Sequence, residues 1–62
     1  MKRRKLLKYL KSNNCKFLRE GGNHTIYYNV EKKKVSTIPR HNEINDYLIK
    51  KICKDLDIPN PY

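Results

Sequence analysis

The sequence predicts an α+β fold of order α-β-β-β-α, and three observations carry that reading. Leucines recur at helical spacing in the first dozen residues, and leucines and isoleucines do so again from 48 to 56. β-branched and aromatic residues concentrate between them, at 24 to 38, while Gly21, Gly22, the run Lys32, Lys33, Lys34 and Pro39 punctuate that middle region. Each helix has one apolar stripe, and one face of a three-stranded antiparallel sheet is the only apolar surface available to both, so the expected architecture is two layers with the helices on the same face.

The first helix sets Leu6, Leu7 and Leu10 against Lys2, Arg3, Arg4, Lys5, Lys8 and Lys11, a basic amphipathic pattern. Asn tolerates the left-handed conformation of a helix exit, so Asn13 or Asn14 is the expected C-terminal cap. A first strand spans 15 to 20 and closes at the two glycines. A second, rich in Thr25, Ile26, Tyr27, Tyr28 and Val30, spans 24 to 30. The three lysines form a turn, and a third strand over 35 to 38 stops at Pro39, which has no N–H for a ladder. Asn45 is the expected N-cap of the second helix, with Asp46 in its first turn and Leu48, Ile49, Ile52, Cys53 and Leu56 as its apolar stripe; Asp57 and Pro59 mark its end. The expected core is Leu6, Leu10, Leu48, Ile52 and Leu56.

At 62 residues the chain reads as a single domain over 1–62, of a size that buries only about 60% of the surface its unfolded chain exposes. Fifteen Lys and Arg against six Asp and Glu give a net charge of +9, which points to a polyanionic or acidic partner. No stretch is long and apolar enough for a membrane span or a signal peptide. Two cysteines, 15 and 53, are too few for a disulfide framework and are expected to be reduced and buried in a cytoplasmic protein. Cys15, His24, His41 and Cys53 are too widely spaced for a zinc finger, so neither metal nor cofactor is expected.

The sequence has no phosphate-cradling glycine loop and no nucleophile elbow, and its carboxylates are scattered over loops and helix ends. His24 stands apart. It follows Glu20, Gly21, Gly22 and Asn23 at the start of a strand, where the glycines allow a sharp turn or close approach to a ligand. An imidazole can take a proton near neutral pH and return it. RNA cleavage needs little more, because the nucleophile is the substrate's own 2′-hydroxyl. The plainer reading, a polar residue at a strand edge, stands beside it. His41, after Pro39 and Arg40, is a second candidate with a possible acid role or a backbone-bonding one, and Arg40 is either a phosphate partner or a solvated turn cation.

Three runs carry a resemblance. Residues 19 to 27 (Arg-Glu-Gly-Gly-Asn-His-Thr-Ile-Tyr), 38 to 41 (Ile-Pro-Arg-His) and 48 to 56 (Leu-Ile-Lys-Lys-Ile-Cys-Lys-Asp-Leu) resemble the HicA family of toxins, small mRNA interferases with a double-stranded-RNA-binding-domain-like fold that are neutralised by a HicB antitoxin. The likeness runs from the first helix to Ile58. Its most specific part is Gly22, a small polar residue and His24, with Tyr27 three positions on. The resemblance implies that His24 is catalytic and that a HicB-like antitoxin is a partner; Gly22, Asn23, Arg40 and His41 are the candidate supporting residues around it. Three positions depart from the family pattern: Asn23 stands for Ser, Asn14 for Gly and Tyr47 for Gly.

The cations fall into three groups: the first helix, the turn at 32 to 34, and Lys50, Lys51 and Lys54. Lys2, Arg3, Arg4, Lys32, Lys33 and Lys34 are the candidate RNA contacts. Tyr27 and Tyr28 point to opposite sides of the strand; Tyr27 is assigned to the core, leaving Tyr28 on the open face beside His24 and Ile26 to stack a base. Glu43 and Asp46, near the second helix, disfavour a duplex backbone there, so single-stranded message RNA is the expected substrate. A metal-independent endoribonuclease toxin is the leading reading, a non-catalytic RNA- or DNA-binding module the alternative, and a module for an acidic protein partner the third.

Overall fold

A computed structural model describes residues 1–62. Its order is α1 (Arg3–Ser12), β1 (Cys15–Gly21), β2 (His24–Asn29), β3 (Val35–Pro39) and α2 (Asp46–Leu56), with the strands antiparallel in the order β1-β2-β3. This is the α-β-β-β-α arrangement the sequence predicts, with each strand boundary within one residue of expectation.

Helix α1 has no side-chain cap at Lys2 and no acid in its first turn, so its start depends on tertiary contacts. Arg3 N–H donates to Asn42 C=O at 2.8 Å, Ile44 N–H to Met1 C=O at 2.9 Å, and the α-ammonium lies 3.0 Å from Glu43. The segment before α1 is thereby stitched to the segment before α2. At the other end Asn13 is the C-cap and Asn14 takes φ 63°, so both asparagines serve the exit. The Asn14 carbonyl then accepts from Val30 N–H, tying this exit to the end of β2.

On β2 and β3 the residues Thr25, Asn29, Ser36 and Ile38 are buried beneath the helices. Asn29 explains why β2 ends one residue before Val30. Its Nδ2 donates to Leu56 C=O, and its Oδ1 accepts from Glu31 and Lys32 N–H, which turns the chain. Lys33 occupies the left-handed region of that turn, at φ 58°. On β1 the pairing slips between Phe17 and Arg19, leaving Leu18 as an extra residue that bends this edge strand.

Asn45 Oδ1 accepts from Leu48 N–H at 2.9 Å, the expected N-cap of α2, and Asp57 ends the helix in the left-handed conformation. The core comprises Leu6, Leu10, Cys15, Ile38, Ile44, Ile49, Ile52, Cys53 and Leu56. One expected core residue is corrected: Leu48 is only half-buried, because Ile49 and Ile52 are the α2 residues aimed at the sheet and Leu48 lies at the border of that stripe. Both cysteines are free and buried, and burial pushes both thiols up; Cys53 is raised further by its neighbour Cys15.

Candidate active site

The β1–β2 ladder closes at the pair Gly21 and His24, leaving Gly22 and Asn23 as a two-residue turn. Gly22 sits at φ +40°, and a Cβ added there would meet nothing within 4 Å, so the requirement for glycine is conformational rather than steric. His24 is the first residue of β2 and pairs on its other side with Pro39, the last of β3. Its imidazole is therefore presented by the end of the middle strand, on the side of the sheet opposite Thr25, and is exposed.

Arg40, just after β3, closes this turn. Its Nη1 donates to Gly22 C=O at 3.1 Å, and its Nη2 lies 2.6 Å from Glu20 Oε1 and 3.4 Å from His24 C=O. The same Glu20 oxygen accepts from Thr25 Oγ at 3.0 Å, and Thr25 Oγ accepts from Arg3 Nη2. Arg3 Nε meanwhile donates to Pro39 C=O at 2.9 Å. One chain of bonds thus runs from the start of α1 to the backbone of His24. The hydrogen bond from Arg40 holds the Glu20 carboxyl below its ordinary range, with the Thr25 hydroxyl acting in the same direction.

His24 and His41 line one cleft of about 250 Å³ at the β3 edge, together with Thr37 of β3 and Leu48, Lys51 and Ile52 of α2. Lys51 Nζ donates to Asp55 Oδ2 at 3.1 Å, and the same oxygen accepts from Ser36 Oγ at 3.2 Å, so the Lys51 ammonium is anchored through α2 to the sheet. His24, His41 and Lys51 thus border one cleft, and imidazole and ammonium are the kinds of group that move a proton beside an anion.

The other expected site residues lie elsewhere or are otherwise engaged. The Arg3 guanidinium is spent on Pro39 and Thr25. Lys2 pairs with Glu43 at 3.4 Å, leaving Arg4 as the unpaired cation of that trio. Glu43 meets the α-ammonium and, second to it, Lys2; both hold its carboxyl below the ordinary range, and their charges blunt its repulsion of a phosphate. The lysine turn at 32 to 34 is at the opposite end of β2 from His24, and Lys32 pairs with Asp57 at 3.3 Å. Tyr27 is half-buried against the core and edge-on to Phe17, while Tyr28 lies on the helix-free face with Ile26. Thr37 joins the cleft without having been singled out by sequence, and Lys51, grouped there with Lys50 and Lys54, does so without having been a candidate site residue. Lys51 is three residues beyond Leu48, on the border of the apolar stripe, and that spacing is the one available signal.

Compared with known proteins, the chain matches the model of one family, described as HicA toxin of bacterial toxin-antitoxin, over residues 3–58. No curated protein and no solved structure matches it.

Proposed function

The chain belongs to the HicA toxin family, and from that premise we propose that it is a cytoplasmic endoribonuclease that cuts messenger RNA and is restrained by a HicB-like antitoxin. The observation that supports cleavage over simple binding is the shared cleft: His24 and His41, from separate segments, line it together with Lys51. His24 takes the proton from a ribose 2′-hydroxyl, and the resulting oxygen attacks the adjoining phosphorus. The Lys51 ammonium, exchanging its partner Asp55 for the substrate, faces the negative charge that grows on the phosphoryl oxygens. His41 gives a proton to the departing 5′-oxygen. The P–O5′ bond breaks as the P–O2′ bond forms, so the products are a 2′,3′-cyclic phosphate and a 5′-hydroxyl. The nucleophile comes from the substrate, and the scheme calls for no metal-bound water.

Gly22 and Arg40 act on this chemistry through shape. The turn conformation and the Arg40 bonds to the carbonyls of Gly22 and His24 fix where β2 begins, and so where the imidazole points. Asn23 occupies the turn beside it. The test is incubation of purified protein with single-stranded RNA in chelator, followed by analysis of the 3′ ends. Cyclic phosphate ends support the reading, whereas bound but intact RNA supports a non-catalytic binding module.

A further inference from the structure

The largest concavity of the molecule, about 570 Å³, lies between α1 and the free edge of β1, and it shares no residue with the His24 cleft. Leu7, Phe17 and Tyr27 give it an apolar floor, with Lys8 and Lys11 on the α1 bank and Lys16 on the β1 bank. Phe17 is 52% exposed although it is a large apolar side chain, and it meets Tyr27 edge to face at 6.3 Å between ring centroids.

Charge distribution favours this groove. Eight of the fifteen Lys and Arg precede the first acidic residue, Glu20, in the chain. Lys2, Lys32, Arg40 and Lys51 are all paired with carboxylates, whereas Lys8, Lys11 and Lys16 have no carboxylate within 4.0 Å. Three unneutralised ammonium groups around exposed aromatic surface is the combination by which proteins hold single strands: cations track the backbone while bases stack on rings.

We propose that the groove between α1 and β1 binds single-stranded RNA, with bases on Phe17 and phosphates on Lys8, Lys11 and Lys16. The proposal rests on the reading of the chain as an RNA-cutting toxin, and it moves the main RNA contact away from the lysine turn and the start of α1. Two strand spacings, about 10 Å, across the sheet and three residues, about 10 Å, along β2 from Tyr27 to His24 separate the groove from the His24 cleft, so the two are distinct surfaces of the molecule. A peptide helix needs a row of apolar anchors along its length. Here the floor is short and cations stand on both banks, which favours a nucleotide strand.

The experiment uses the His24→Ala protein, so that the probe stays intact, with a fluorescein-labelled eight-nucleotide oligouridylate titrated over a range of salt. Phe17→Ala should weaken binding by about five-fold or more with the salt slope unchanged, and Phe17→Trp should restore it. Replacing Lys8, Lys11 and Lys16 together by Gln should lower the log–log salt slope by about two, the contribution of three phosphate contacts on a single strand. Melting curves check that each variant folds. Wild-type affinity and slope in both variants overturn the groove assignment alone, while a His24→Ala parent that binds no RNA overturns it together with the RNA reading. An acidic peptide with leucines at i, i+3, i+4 and i+7 that needs Phe17 for binding, while RNA does not, reassigns the groove to a protein partner and overturns the proposal.

Discussion

Arg40 Nη2 lies 2.6 Å from Glu20 Oε1, and the same guanidinium donates to the carbonyls of Gly22 and His24. A pair that would count for little as an isolated surface ion pair therefore spans both sides of the turn that presents His24. Arg40→Ala is expected to lower kcat on RNA while leaving affinity for uncut RNA close to wild type, because the guanidinium faces the turn rather than the cleft. Arg40→Lys should fail to rescue kcat, since a single ammonium cannot reproduce the planar fork that reaches three acceptors. Equal losses in kcat and affinity would place Arg40 on the substrate instead.

The depressed Glu20 carboxyl gives this contact a pH signature. A carboxylate whose folded value lies below its unfolded one adds stability that is fully present above the unfolded value and is lost as pH falls through the folded one. The melting temperature of wild type should therefore exceed that of Glu20→Gln above the ordinary glutamate range, with the gap closing on acidification below it. Parallel melting curves at all pH values would show that the pair contributes nothing to folding.

The packing model makes a graded prediction. Ile52 and Ile49 are buried in the core, and truncating such a side chain alone costs about 2–5 kcal/mol. A domain this small commands about 3–5 kcal/mol in all. Ile52→Asp, which adds an unpaired buried charge, should leave the chain unfolded by circular dichroism at room temperature. Leu48→Ala, at a half-buried position on the cleft wall, should remain folded with a modest loss of melting temperature. A wild-type melt for Ile52→Asp would refute the two-layer packing.

Periodicity and punctuation made most of the fold legible. Asn14, Asn45, Pro39 and the glycine pair each announced a local backbone event that the structure contains, and Leu6, Leu10, Ile52 and Leu56 lie in the core. Leu48 was harder to place because a helical stripe has borders, and spacing alone does not say which border residue tilts toward solvent. The role of Arg3 was illegible for a different reason. One basic residue in a run of four looks like its neighbours until the fold brings Pro39 and Thr25 beside it. The association of His24, His41 and Lys51 likewise depends on contacts between β3 and α2 that no local pattern encodes.

Membership in a toxin–antitoxin family implies a restraining partner. Expression of this chain alone should arrest bacterial growth, and co-expression with the product of an adjacent antitoxin-like gene should restore it. The His24→Ala protein at matched levels should be tolerated without that partner. Growth unaffected by wild-type protein, with accumulation verified, would count against a toxin.

The two histidines separate the steps of the proposed reaction. His24→Ala should fold, bind RNA and lose about 10²–10⁴-fold in cleavage rate, the usual contribution of a general base. His41→Ala should lose less on a substrate whose 5′-oxygen leaves easily, because a good leaving group has little need of a proton. A 3′-uridylate ester of p-nitrophenol provides that leaving group, and the His41→Ala defect should shrink on it while the His24→Ala defect persists, since every substrate requires its 2′-hydroxyl to be deprotonated. If instead the His24→Ala defect disappears on the activated ester, the roles of base and acid are exchanged. If both variants cleave RNA at the wild-type rate, the histidine mechanism is wrong.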